Sequence, residues 1–138
     1  MTAATVAVAA SAAHQVPKPY ATGLVGLRFT VAIATTSIDD VGDIVELGYL
    51  PANCTVVGFI VSSTDMDTNV TPLAVGKLTL GATDVVTAIA DMKAGTSTFY
   101  ACSPQALTAV TKLQWNTTAV AATAAAGTLD VTALYINQ

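Results

Sequence analysis

The sequence predicts an all-β chain: an antiparallel β-sandwich, with a jelly roll as one topology open to it, one short helix and an extended N-terminal arm. Some seven or eight short apolar or alternating runs follow one another from Gly26 to the C-terminus, separated by turn residues. The stretch before them is Ala-rich and carries Pro17 and Pro19, which forbid regular ladder pairing. Residues 1–25 are therefore read as an arm and 26–138 as one sandwich domain.

From Gly26, GLRFTVAIAT alternates, with Leu27, Phe29, Val31 and Ile33 on one face and Arg28, Thr30, Ala32 and Ala34 on the other. That is the period of a half-buried strand. After the turn-like TSIDDVGD comes a second strand, IVELGYL, closed by the turn Pro51-Ala52-Asn53, where proline fixes φ and asparagine tolerates unusual backbone angles. The next run, CTVVGFIVSS, is apolar on both faces and suits the middle of a sheet, with Gly58 marking a bulge or a close approach.

The acidic loop TDMDTNVTP leads to a short strand, GKLTLG. ATDVVTAIADMKAG then reads as a short helix capped by Thr83 or Asp84, with Val85, Ile89 and Met92 on one side, Lys93 in the last turn and Gly95 beyond it. Three more strands follow: STFYAC, then LTAVTKLQWN with Leu107, Ala109, Leu113 and Trp115 facing inward, then TLDVTALYI after the Ala-rich loop VAATAAAG.

A domain of 138 residues buries roughly two-thirds of the surface its unfolded chain exposes, so no metal or disulfide staple is required. Hydrophobic residues make up 53% and charged residues only 10%, where a soluble domain carries roughly 25% charged residues. No apolar run approaches the ~20 residues of a spanning helix, so membrane insertion does not account for this. A surface of Thr, Ser, Asn and Ala hidden against copies of the chain or a larger scaffold does, because interface cores are depleted of charge. The basic residues Lys18, Arg28, Lys77, Lys93 and Lys112 are scattered, and the net charge is −4. Nucleic-acid binding by phosphate neutralisation is not expected. TAATVAVAASAA lacks the basic start of a signal peptide, and export by that route is not expected.

Templates for chemistry stay incomplete. His14, the only histidine, lies in the arm, far in sequence from any nucleophile. The acids cluster in loops as Asp39-Asp40-Asp43 and Asp65-Met66-Asp67, which reads as solvated turns rather than a glycosidase pair. Asp65, Asp67 and Asn69 have the spacing that opens a calcium loop, but Val70 stands where its glycine belongs and Gly76 where its glutamate belongs. Cys54 and Cys102, the only cysteines, sit in strands and read as buried thiols, though one disulfide is open to them. Tyr49, Phe59, Phe99, Tyr100, Trp115 and Tyr135 lie in strands, as core or contact residues or, alternatively, as a stacking platform for sugars. No phosphate-cradling glycine loop, nucleophile elbow or paired-cysteine zinc pattern is present. The expectation is no catalytic, cofactor-binding or metal residue, no cofactor and no enzymatic activity.

GDIVELGYLPANCTVVGFIV, KLTLGATD and AGTLDVTALYI together resemble a pattern in the small capsid-decorating, or cement, proteins of tailed bacteriophages. In that pattern a strand ending in an LGxLPA-type turn leads to an apolar strand, a Leu-Gly-Thr-like strand end and a closing Ala-Gly-Thr strand with a Tyr-Ile finish. The resemblance spans residues 42–136 and leaves the arm outside it. It implies a β-sandwich, often trimeric, that sits on the outer capsid and holds major capsid subunits together. Its implied partners are further copies of itself and the major capsid protein, its implied location the virion surface after synthesis in the bacterial cytoplasm. Competing readings are a tail-tube or fibre subunit, which would polymerise, and a carbohydrate-binding sandwich, which would depend on Trp115.

Overall fold

Alternating apolar side chains need a second apolar layer to cover them, and the computed structural model, which describes residues 5–7 and 23–137, supplies it as two facing sheets. The strands are β1 (Thr5–Ala7), β2 (Leu24–Ile33), β3 (Ile44–Leu50), β4 (Cys54–Ser63), β5 (Val75–Leu80), β6 (Thr83–Ile89), β7 (Ser97–Leu107), β8 (Thr111–Ala119) and β9 (Gly127–Asn137). One sheet has the order β1-β3-β8-β5-β6, the other β2-β9-β4-β7. From β2 to β9 all pairings are antiparallel; β1 joins β3 in parallel through Thr5↔Ile44, Val6↔Val45 and Ala7↔Glu46. In the orders β2-β9-β4-β7 and β3-β8-β5-β6 most neighbours are not consecutive in the chain, so its two halves interleave within each sheet of the sandwich.

The core lies between the sheets. Phe29, Val31 and Ile33 of β2 face Val45, Leu47 and Leu50 of β3, with Val56, Phe59 and Val61 of β4, Leu113 and Trp115 of β8, and Leu129, Val131 and Tyr135 of β9, all buried. β4, read as a mid-sheet strand from its two apolar faces, pairs with β9 on one side and β7 on the other. Its register shifts between Val56 and Gly58, and a Cβ at Gly58 would come within 2.8 Å of the Phe99 ring. The glycine therefore marks both a bulge and a close approach. Asn53 adopts φ 60 in the Pro51 turn, as an asparagine can.

The helix expected between Thr83 and Gly95 is replaced by strand β6 and a single 3₁₀ turn, Asp91–Lys93. Val86 and Ile89 are both buried three residues apart, a helical spacing that here comes from a strand irregularity. Ala88 takes φ 58, and three steps along β6 match two along β5, since Gly76 pairs with Ile89 and Leu78 with Val86. A second 3₁₀ turn, Thr35–Ser37, follows β2. The run expected as one strand from Leu107 to Asn116 is split. β7 extends through Pro104, tolerated at a sheet edge, to Leu107; Ala109 is exposed in a turn; and β8 starts at Thr111.

Most of the expected arm, including His14, Pro17 and Pro19, lies outside the described residues. Within it, residues 5–7 form β1, and Leu24 and Val25 already belong to β2. Among the described residues no helix is long and apolar enough to cross a membrane.

Candidate functional site

Four connections gather at one end of the sandwich: 34–43, 64–74, 90–96 and 120–126. The pairings place them there, because the last residue of β2, Ile33, faces the first of β9, Gly127, and Ser63 of β4 faces Leu129. In the other sheet Ile44 pairs with Asn116, Val75 with Ala119 and Gly76 with Ile89. The shorter turns 51–53, 81–82 and 108–110 lie at the opposite end.

These loops hold Asp39, Asp40, Asp43, Asp65, Asp67 and Asp91, against a single cation, Lys93. The other described charges sit on strands and cancel in three ion pairs: Arg28–Asp130 at 2.8 Å, Lys77–Asp84 at 3.1 Å and Lys112–Glu46 at 2.8 Å. The excess negative charge of the described residues is therefore concentrated at the loop end.

The expectation that the loop acids are solvated turn residues holds for Asp39 and Asp65, which are exposed, but Asp43, Asp67 and Asp91 are buried. Asp67 is the centre of a knot. Its Oδ2 accepts backbone N–H bonds from Leu73 (2.7 Å), Ala74 (3.1 Å) and Ala122 (2.9 Å), and its Oδ1 accepts one from Thr123 (2.9 Å). Burial pushes the carboxyl toward the neutral form, but the N–H donors of Thr123, Leu73, Ala122 and Ala74 outweigh it and hold the group well below the usual carboxylate range.

The calcium-like spacing has another cause. Asp65 Oδ1 accepts the N–H of Asp67 at 3.0 Å, Asp67 Oδ1 that of Asn69 at 3.4 Å, and Asn69 Oδ1 that of Thr71 at 3.0 Å. These are successive turns in which each side chain bonds the backbone two residues on.

Asp91 anchors the neighbouring loop. Its Oδ1 accepts the hydroxyls of Thr96 at 2.8 Å and Thr98 at 2.6 Å, and its Oδ2 that of Tyr100. Asp39, Asp40 and Asp43 bring carboxylate oxygens within 4.8 Å of one another, and the Asp40 backbone N–H donates to Asp43 Oδ2 at 3.0 Å. This is the one group of acids among the described residues whose oxygens converge as a hard cation's ligands do. The three are near neighbours in the sequence, which does not show that Asp43 is interior.

The aromatics divide. Phe59, Trp115 and Tyr135 are buried, Tyr49 and Tyr100 are half-buried, and Phe99 is exposed on β7. A sugar platform built on Trp115 is excluded by its burial between the sheets. Both cysteines are free: Cys54 is buried, its thiol 3.2 Å from the carbonyl of Pro51, and Cys102 is half-buried.

No protein-family model and no curated protein matches the chain. Among solved structures the fold is similar to a chain in the capsid of Ralstonia phage GP4, with a TM-score of 0.80 and 21% identity, over 98% of this chain and 99% of that one. It is also similar to a chain in the capsid asymmetric unit of cyanophage Pam1, with a TM-score of 0.67 and 22% identity, over 88% and 90% of the two chains.

Proposed function

We propose that the chain is a structural, non-enzymatic protein of a bacteriophage virion that binds the outer capsid and stabilises contacts between major capsid subunits. The observation that carries this reading is the similarity of its sandwich to a chain of the Ralstonia phage GP4 capsid over 98% of this chain and 99% of that one. The chemistry of the surface agrees with such a role. Strand charges are neutralised in pairs, the interior is filled by apolar side chains, and the buried Asp67 and Asp91 serve as structural anchors. Copies of the chain are proposed to associate as well, a trimer being the closed form expected from the resemblance.

The test uses heads of the phage that encodes the chain, prepared without it. Purified protein added back should co-sediment with the heads at a fixed stoichiometry and raise the temperature at which they open. Heads that neither retain it nor gain stability would overturn the proposal, and growth of the purified protein into rods would point to a tail component.

A further inference from the structure

The loop end combines two properties that the rest of the described surface keeps apart. Among the described residues it carries six carboxylates against the single cation Lys93, and it exposes large apolar side chains among them: Val41 is 66% exposed, Val70 fully exposed and Leu73 55% exposed. Val41 lies between Asp40 and Asp43, and Val70 and Leu73 follow Asp65 and Asp67 along one loop. Between these two loops runs 120–126, whose small Ala122, Thr123 and Ala126 leave low relief. The Val70–Leu73 loop is also held before any partner arrives, because Asp67 binds the N–H groups of Leu73 and Ala74 on one side and of Ala122 and Thr123 on the other.

We propose that this end, centred on Val41, Val70 and Leu73, is a docking surface for a partner protein whose contact face sets lysine or arginine side chains around an apolar patch. The proposal rests on the reading that the chain works by binding a protein shell. Charge complementarity selects the partner: a negative end attracts a basic protein surface and repels phosphate backbones and anionic lipid headgroups. A free cation would satisfy the carboxylates but leave Val70 and Leu73 in water, so the apolar tips argue for a surface that covers them. A loop fixed in advance loses less conformational freedom on docking, which favours tight binding from a modest area.

Binding to the depleted heads is measured for two double variants, Asp39→Asn with Asp65→Asn and Val70→Ser with Leu73→Ser. Val110→Ser, on the exposed turn at the opposite end, is the control. Each double variant should bind about fivefold more weakly or worse, since anchors of this kind commonly cost a factor of that order. The Asn pair should also flatten the decline of binding with salt, and the control should match the unsubstituted protein. Heads that bind both double variants as well as the parent would overturn this surface while leaving the virion reading intact.

Should the heads bind nothing, a second probe decides the surface separately. A short peptide of alternating lysine and leucine, added to the isotope-labelled chain, should shift the backbone signals of Val70, Leu73, Ala122 and Thr123 and lose affinity with the Asn pair. A peptide of alternating glutamate and leucine should not. Absence of binding by the lysine peptide, or shifts confined to residues 108–110, would overturn the proposal.

Discussion

The indole of Trp115 on β8 lies across Gly76 on β5, so close that a Cβ added to the glycine would sit 2.0 Å from the ring atom Cζ2. Both residues are buried, and the indole N–H donates to the Thr117 hydroxyl at 3.4 Å. The ring thus occupies the space a side chain at Gly76 would need.

Gly76→Ala is expected to lower the unfolding free energy by about 3 kcal/mol, the upper range for an overpacked core. Urea unfolding followed by far-ultraviolet circular dichroism, which does not depend on Trp115, measures it. Adding Trp115→Phe to Gly76→Ala should cost less than the two single changes together, because a smaller ring relieves the overlap.

Asp67→Asn replaces a carboxylate holding four strong N–H bonds with an amide that has one acceptor oxygen. The loss is expected to be about 3 kcal/mol at neutral pH. Because the folded-state pKa of Asp67 is depressed, its contribution is present above the unfolded value, roughly 4, and is lost as the pH falls below that toward the folded value. Acid titrations of stability should show parent and Asp67→Asn far apart at neutral pH and converging below about pH 4. A constant gap down to pH 2 would mean that the carboxylate is not what closes the knot.

Tyr100→Phe removes the hydroxyl that donates to Asp91 and should destabilise by about 1 to 2 kcal/mol, the usual cost of leaving a part-buried acceptor short of a partner. Burial first, then the hydrogen bond to Asp91, raises the Tyr100 pKa above the ordinary tyrosine range, and burial raises that of Tyr135. Raised phenol values contribute stability that is present below the unfolded pKa, near 10, and fades as the pH climbs through it. Ultraviolet titration should show late-ionising tyrosine, with one fewer late group in Tyr100→Phe.

Burial raises both thiols above their ordinary range. In the native protein at pH 8 a thiol reagent should modify Cys102 slowly and Cys54 only on unfolding, and the mass without reductant should equal that with it. A disulfide within one chain, found by peptide mapping, would contradict the free thiols of the structure.

Much of the layering is written in local pattern. The alternation of Leu27 to Ile33, the double-faced CTVVGFIVSS and the Pro51-Ala52-Asn53 turn specify half-buried strands, a mid-sheet strand and a left-handed corner, because each depends only on near neighbours and the two-residue period of the pleat. β6 escaped that logic. One bulge at Ala88 turned a two-residue period into a three-residue one, and the bulge is fixed by pairing with β5, which lies across a turn but under a packed core.

The sequence by itself determined an all-β sandwich with sparse charge and with acids confined mainly to its connections. The tertiary structure alone decided which of those acids are interior and what they hold. Asp67 bonds residues 55 and 56 positions away, and Asp130 meets Arg28 across 102 positions. A carboxylate's environment is the sum of whatever donors surround it, and in this sandwich those donors include loops and strands that are adjacent in space and remote in the chain. Local spacing therefore showed acids in loops but not which of them folding makes anchors, and only the assembled end revealed the negative, apolar-tipped surface.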